Sequence, residues 1–326
     1  MGGAGGCDGF RTAAGCSGFA ATPEGYAPGR TAILTTLQIP VRDESGAVQC
    51  CSDLGERSKD FLEQGTVGGL DNAFEETLEN IAAFDPTFAP QTDIDAALAD
   101  GTVVLLFDGL GLEGPDDDFL LARLLGSREG ATTAESSAAG EGTFLAKRGS
   151  FAAGTGVPTY LLPARLDGDV LTVQPGPFAL PLPLGALILD LPLEEARISA
   201  SPVAIHRGGV GYAGGILSGY VRVDSFFERM NGYAAESCGC LAHAGPVFAL
   251  DPAGRWRGDC VQDSAVLCPD SRACANVGGV FCSLGPALLE ARADIELDAA
   301  RDGYEALSVG VQFEAVPAQL VGVEAP

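Results

Sequence analysis

Between Asp169 and Val223 the chain runs through short apolar or alternating segments cut by Gly and Pro, with no helical period among them. Ala196, Ile198 and Ala200 alternate with Arg197, Ser199 and Ser201, and Leu217, Gly219, Val221 and Val223 alternate with Ser218, Tyr220 and Arg222. A period of two is the mark of a strand with one face buried. The run Gly185-Ala-Leu-Ile-Leu-Asp190 is apolar throughout and predicts a strand covered on both faces. Roughly five strands in so little chain leave no room for the crossovers of a dozen or more residues that parallel neighbours need, so the pairing is expected to be antiparallel.

The same signals recur outside this stretch. Thr31 to Val41 reads as one or two strands, and Val103 to Phe107, Phe119 to Leu125, Thr143 to Arg148 and Pro158 to Arg165 read as further ones. Near the end of the chain Leu307, Val309, Val311 and Phe313 alternate with Ser308, Gly310, Gln312 and Glu314, and Ala318 to Val323 follows Pro317. Helices are fewer. Leu70, Phe74, Leu78 and Ile81 recur at helical spacing and predict an amphipathic helix from Leu70 to Phe84. Thr92 and Asp95 have the spacing of a capping box, Ile94 and Leu98 supply an apolar side, and Gly101 stands where a C-terminal cap belongs. Ser225 to Gly232 reads as a short third helix.

These elements divide the chain into a Gly-rich, Cys-containing segment 1–53, a helical segment 54–100 and an antiparallel β domain 101–223. A Cys-rich insert 224–292 and strands 293–326 that return to the β domain complete it. Residues 126–142 read as an exposed loop. The fold class expected is mainly β, an antiparallel sheet or sandwich with a short helical N-terminal section and a Cys-rich helical insert.

The 19 Lys and Arg against 44 Asp and Glu give a net charge of −25. Such a charge repels phosphate backbones and anionic lipid surfaces, so nucleic acid is not the expected partner. No stretch approaches the ~20 apolar residues of a membrane helix. Lysine occurs only at Lys59 and Lys147 while Arg, Ala and Gly abound, the usage of a GC-rich bacterial genome.

Ten cysteines, at 7, 16, 50, 51, 238, 240, 260, 268, 274 and 282, are an even and high number. Thiols in that number suit an oxidising compartment, and all of Cys7, Cys16, Cys50, Cys51, Cys238, Cys240, Cys260, Cys268, Cys274 and Cys282 are expected in disulfides. The start Met1-Gly-Gly-Ala-Gly-Gly-Cys7 lacks the basic region and apolar core of a signal peptide. Export with the signal trimmed or the start misplaced is favoured over a cytosolic location. Cys7 follows Ala-Gly-Gly as at the end of a lipoprotein processing site, but without an apolar region before it an ordinary disulfide is the stronger expectation. Bonded to each other, Cys50 and Cys51 would close a strained ring, so each is expected to reach another cysteine, with Cys7 and Cys16 as candidates. The six cysteines from Cys238 to Cys282 lack the spacing of zinc ligands and predict three disulfides, which six residues can form in 15 ways.

Other chemistry is poorly marked. Asp116, Asp117 and Asp118 form an acidic turn, and Asp294, Glu296, Asp298 and Asp302 lack the spacing of a calcium loop, so no metal or other cofactor is expected at either. There is no G-x-S-x-G, H-E-x-x-H, P-loop or dinucleotide-binding motif, and His206 and His243 are the two histidines. No catalytic residue is assigned and no enzyme is expected. An apolar sheet face partly covered by the Leu70 helix keeps a carrier of lipid or another apolar ligand as an alternative. A secreted hydrolase with a dispersed site is the second.

Three segments together resemble uncharacterised envelope proteins, often lipoproteins, of GC-rich myxobacterial-type bacteria. They are Gly69-Leu-Asp-Asn-Ala-Phe74, the run Asp95 to Phe107, and the run Ala306 to Gly322. The resemblance covers roughly residues 65–223 and 300–323 and implies an extracytoplasmic β protein in the periplasm, at the cell surface or secreted. It implies no activity and no catalytic residue. A non-enzymatic binding or structural role, with an unknown protein or apolar ligand as partner, is the function expected. Contact with a membrane is expected only through lipidation of Cys7.

Overall fold

A computed structural model describes residues 19–40, 50–59, 70–84, 88–184, 187–206, 208–242, 245–298 and 303–326. Eight strands close into a ring in which every neighbour is antiparallel. In chain order they are β1 (Arg30–Gln38), β2 (Leu105–Leu110), β3 (Asp116–Arg128) and β5 (Tyr160–Asp167), then β6 (Val170–Leu184), β7 (Leu187–His206), β8 (Gly209–Arg222) and β11 (Ala306–Val323). Each pairs with the next, and β11 returns to β1 from Thr31↔Ala318 to Gln38↔Gln312. The expected antiparallel sheet is therefore a closed barrel, which leaves no unpaired edge in the ring. A short ninth strand, β4 (Thr143–Ala146), runs antiparallel to the end of β3 and parallel to the end of β11.

The interior follows from the alternation. Leu307, Val309, Val311, Phe313 and Ala315 on β11 point inward with Leu105 and Phe107 on β2 and Leu162, Ala164 and Leu166 on β5. The Phe107 ring meets Phe313 at 5.5 Å and Phe178 at 6.2 Å, both edge to face. An eight-stranded barrel has an interior about wide enough for side chains to fill, and these rings occupy it.

The stretch that read as five strands is three long ones, of 15, 20 and 14 residues. Its prolines do not end the strands. β5 pairs β6 only through Val170–Val173, and β8 pairs β7 only from Glu194 onward, so Phe178–Leu193 forms a ribbon paired with itself. Pro181, Pro183 and Pro192 lie on its free edges, where a missing N–H costs nothing. The ribbon is not covered on both faces as expected, since Ile188 is 42% exposed while Leu189 and Leu191 are buried. Gly185 and Ala186 lie outside the described residues. Phe178, Leu180, Leu182, Leu189, Leu191 and Leu193 are all buried in the main core. At about 1.5–3 kcal/mol for each such side chain, lifting the ribbon would cost about as much as unfolding a domain, so it is part of the core and not a lid.

Helix α1 (Ala73–Phe84) starts later than the spacing predicts, and Leu70 is exposed in front of it. Helix α2 (Pro90–Asp100) starts before Thr92, with Pro90 in its first turn and no side-chain cap at Ala89, so the capping box does not form. Gly101 does terminate it in the left-handed conformation, at φ 83°. The expected loop 126–142 holds the end of β3 and a short helix, α3 (Ala134–Ala138), capped reciprocally by Thr133 and Ser136. The aspartates expected in a turn begin β3. Asp116 accepts from Gly168 N, Asp117 from Glu113 N and Gly114 N, and Asp118 lies 3.7 Å from Arg165.

Between β8 and β11 the insert forms α4 (Val223–Ser237), a small hairpin of β9 (Phe248–Leu250) and β10 (Trp256–Gly258), α5 (Ser264–Leu267), α6 (Arg272–Gly278) and α7 (Val280–Arg292). Its core is continuous with the barrel's through Phe226, Phe227, Met230 and Phe248. Three disulfides join Cys238 to Cys274, Cys240 to Cys268 and Cys260 to Cys282 across 36, 28 and 22 residues of sequence. Loop closure of that length is worth about 3–4 kcal/mol per bridge in the chain-entropy model. No single helix among the described residues is long and apolar enough to cross a membrane.

Because Phe107 is fully buried where three aromatic rings meet, Phe107→Ala is expected to lower the unfolding free energy by about 3–5 kcal/mol. Urea unfolding followed by circular dichroism measures it, and a loss under about 1 kcal/mol would show that the barrel interior is not close-packed there.

Candidate functional site

The two ends of the barrel differ. One is closed by the short turns between β2 and β3, β5 and β6, and β7 and β8. At the other lie the connections that carry the ribbon, α1, α2 and the insert. The polar groups that the fold buries at this end are the candidates for function.

The largest group lies on the outer wall of β8 and β11. Ser218, Ser308 and Gly310 alternate outward there, and small residues at these positions let an arm, 50–59, and the start of α1 lie against the wall. Asn72 accepts from Gly310 N and donates to Gly310 O, at 3.0 and 3.1 Å, which continues the sheet's hydrogen bonding through a side chain. Ser52 Oγ meets Ser218 Oγ at 2.6 Å, and Ser52 O accepts from Asp71 N. Asp71 Oδ2 accepts from Leu54 N at 2.6 Å. Ser308 Oγ accepts from Ala73 N, the first amide of α1, and donates to Asp294 Oδ2 at 2.5 Å, while Ser308 N donates to Asp294 Oδ1. A serine of the barrel wall thus caps the helix, in place of the N-cap side chain that helices usually supply themselves.

This geometry decides what the cluster can do. Ser308 is fully buried and its hydroxyl is already both donor and acceptor, so it cannot act as a nucleophile on an incoming substrate. Burial pushes the Asp294 carboxyl up to about 7 from its ordinary 3.8, the Asp71 charge adds to the rise, and the bonds from Ser308 oppose it. Asp294 is half-buried and Asp71 buried, so two carboxyls share a poorly hydrated site.

Above the wall, Arg57 Nη2 donates to Glu195 Oε2 at 2.6 Å and its guanidinium lies 5.4 Å from the centre of the Tyr220 ring. Glu195 has φ 48°, an uncommon conformation for a residue with a side chain, at the bulge where the ribbon leaves the barrel. Inside the barrel mouth Arg123 is buried, donates to Asp190 Oδ1 at 2.9 Å and lies 5.3 Å from the Tyr160 ring. Burial lowers its pKa, against the attraction of Asp190. This pair ties the barrel wall to the ribbon. On the other side of the ring Asp108 is fully buried and accepts from Tyr26 Oη, Gly29 N and Thr31 Oγ1, which fastens residues 26–31 to β2. Burial raises the Asp108 carboxyl against the effect of its three donors.

Six of the ten cysteines expected in disulfides form the insert bridges, and Cys50 and Cys51 are bonded to each other. The last pairing corrects the expectation that each reaches a separate partner. Where the arm meets the barrel wall both sulfurs fall on the same side and take each other. Cys7 and Cys16 lie outside the described residues, as do Asp302 and His243. His206 ends β7. Asp294 turns to Ser308, and Glu305 accepts from Leu297 N and Asp298 N, so this loop is organised around protein donors. No cluster of three or more His, Cys, Asp or Glu able to hold a metal occurs among the described residues.

Asp71, Asn72 and Ser308 fall in segments singled out for a resemblance, and neither they nor Arg123 belong to a catalytic or ligand-binding motif. The one local signal was Arg123 itself, a charge in the apolar run Phe119 to Leu125. Comparison with protein-family models, with curated proteins and with solved structures returns no match.

The folded protein holds the Asp294 proton more tightly than the unfolded chain does. Its contribution to stability is therefore complete below the ordinary value of 3.8 and is lost as pH rises to about 7. The gap bounds the effect at about 4 kcal/mol. Asp294→Asn keeps an acceptor for Ser308 N and is expected to flatten the fall in stability between those values. Unfolding curves at pH 4 and 7.5 test this, and an equal pH dependence in both proteins would refute it.

Proposed function

We propose that this is an extracytoplasmic protein, secreted or attached to the cell envelope, that acts by binding or as a structural component and not as an enzyme. The pairing of all six insert cysteines into three disulfides carries this reading, since such bridges form and persist where the surroundings are oxidising. The net charge of −25 keeps the molecule away from nucleic acid and anionic lipid. The resemblance to envelope proteins of GC-rich bacteria points the same way.

The buried polar groups favour a structural or binding role over a hydrolytic one. Asp71, Asn72, Ser308, Arg123 and Asp108 each hold one part of the chain against another. The binding surface is expected at the elaborated end, where a rigid barrel presents the insert. A carrier of an apolar ligand would need room under the sheet, and Phe107, Phe178, Phe313 and Tyr212 take that room.

The test is an intact mass of the protein from its native source, alkylated without reductant. No blocked thiols are expected. Ten blocked thiols would mean a reduced, cytosolic protein and would overturn the proposal. Added lipid mass on Cys7 would distinguish an anchored form from a secreted one.

A further inference from the structure

The Cys50–Cys51 disulfide differs in kind from those of the insert. It joins neighbours in sequence, whereas the other three join residues 22 to 36 apart. A cross-link that encloses no loop scarcely restricts the unfolded chain, so folding protects it far less against reduction than it protects a bridge across a long loop. Cys50 is buried and Cys51 half-buried, so Cys51 is the more exposed residue of the pair.

The same disulfide sits where its loss would be felt. Cys51 Sγ fills the space that a side chain on Gly310 would take, 2.7 Å from where a Cβ would stand, with Asn72 beside it. The next residue, Ser52, begins the contacts that fasten the near part of the arm, to Ser218 and to Asp71, and Leu54 adds another, while Arg57 to Lys59 are held separately by Glu195 and by residues 294–296. The ring formed by Cys50 and Cys51 thus fixes the direction in which the chain enters this row of bonds.

We propose that Cys50–Cys51 is a redox-sensitive clasp: a dithiol reductant opens it before any insert disulfide, and opening it frees residues 50–54 of the arm from β8 and β11 while residues 57–59, barrel and insert stay in place. A thiolate of the reductant attacks Cys51 Sγ, and the S–S electron pair leaves on Cys50 Sγ, which takes up a proton. The second thiol of the reductant then attacks the mixed disulfide and releases Cys51 as a thiolate, which is protonated in turn. Two electrons and two protons pass to the protein, and the reductant departs as its own disulfide. The clasp is a property of the oxidised chain and does not rest on where the protein resides.

The experiment titrates the oxidised full-length protein with dithiothreitol, alkylates the thiols and maps them by peptide mass spectrometry. Amide hydrogen exchange is followed in parallel. Cys50 and Cys51 are expected to be labelled at reductant concentrations about 100-fold below those that label the insert. Exchange at the Leu54 and Asp71 amides should rise by about tenfold or more, with the β2 and β3 amides unchanged. The double variant Cys50→Ser/Cys51→Ser should show the faster exchange without reductant, and if it does not fold the titration still decides. Opening of an insert disulfide first or together with the clasp, unchanged exchange of the arm, or a map that joins Cys50 or Cys51 to another cysteine would each overturn the proposal.

Discussion

Closure of the ring between β1 and β11 is the contact on which the rest depends. It joins residues near 31 to residues near 318, so almost the whole chain must be in place before it forms. The cost of closing so long a loop is met only by what the closed barrel then buries. Every inward side chain on the eight strands gains neighbours from across the barrel at once, which an open sheet of the same strands could not provide. The earlier part of β11, with Ser308 and Gly310, pairs with Tyr220 and Ser218 of β8 and forms the wall against which the arm and α1 lie.

The prolines of β6 and β7 illustrate how a constraint becomes a device. In a strand paired on both sides they would remove ladder bonds. In a ribbon paired only with itself they occupy free edges, and they also prevent those edges from recruiting another strand. The ribbon bends over the barrel at Gly176 and Glu195, where both strands depart from regular pairing, and its leucines close one end of the core. Arg123 and Asp190 add a charged tie between barrel and ribbon, backed by the Tyr160 ring.

Polar residues in this protein mostly fasten peripheral chain to the barrel. Asp108 holds the segment before β1, Asn72 and Ser308 hold the start of α1, and Asp71 holds the arm. Each such group is buried and satisfied by donors or acceptors from a distant part of the sequence, an arrangement that favours one docking geometry over others. Asp294 is the exception in kind, since its proton is held near neutral pH and its neighbour is another carboxyl.

Strand alternation on β8 and β11, the amphipathic face of α1, the left-handed Gly101 and the Cys-rich insert could all be read from local sequence. Each depends on the spacing of neighbouring residues, and spacing is a property of sequence. The number of strands between Asp169 and Val223 was not legible, because a proline ends a strand only if both of its edges are paired, and pairing is not local. Nor were the disulfide partners, since six cysteines at these spacings permit 15 connections and only the packing of α4, α6 and α7 selects one. The site around Asp294 was not legible as a site: Asp294 stood in an acidic group without calcium-loop spacing and Ser218 and Ser308 at outward positions of strands, until the pairing of β8 with β11 and the docking of the arm bring four separate segments to one wall. Sequence alone thus determined an antiparallel β protein with a stapled insert. The pairing of β11 with β8 and with β1, strands far apart in the chain, decided which of its polar residues meet.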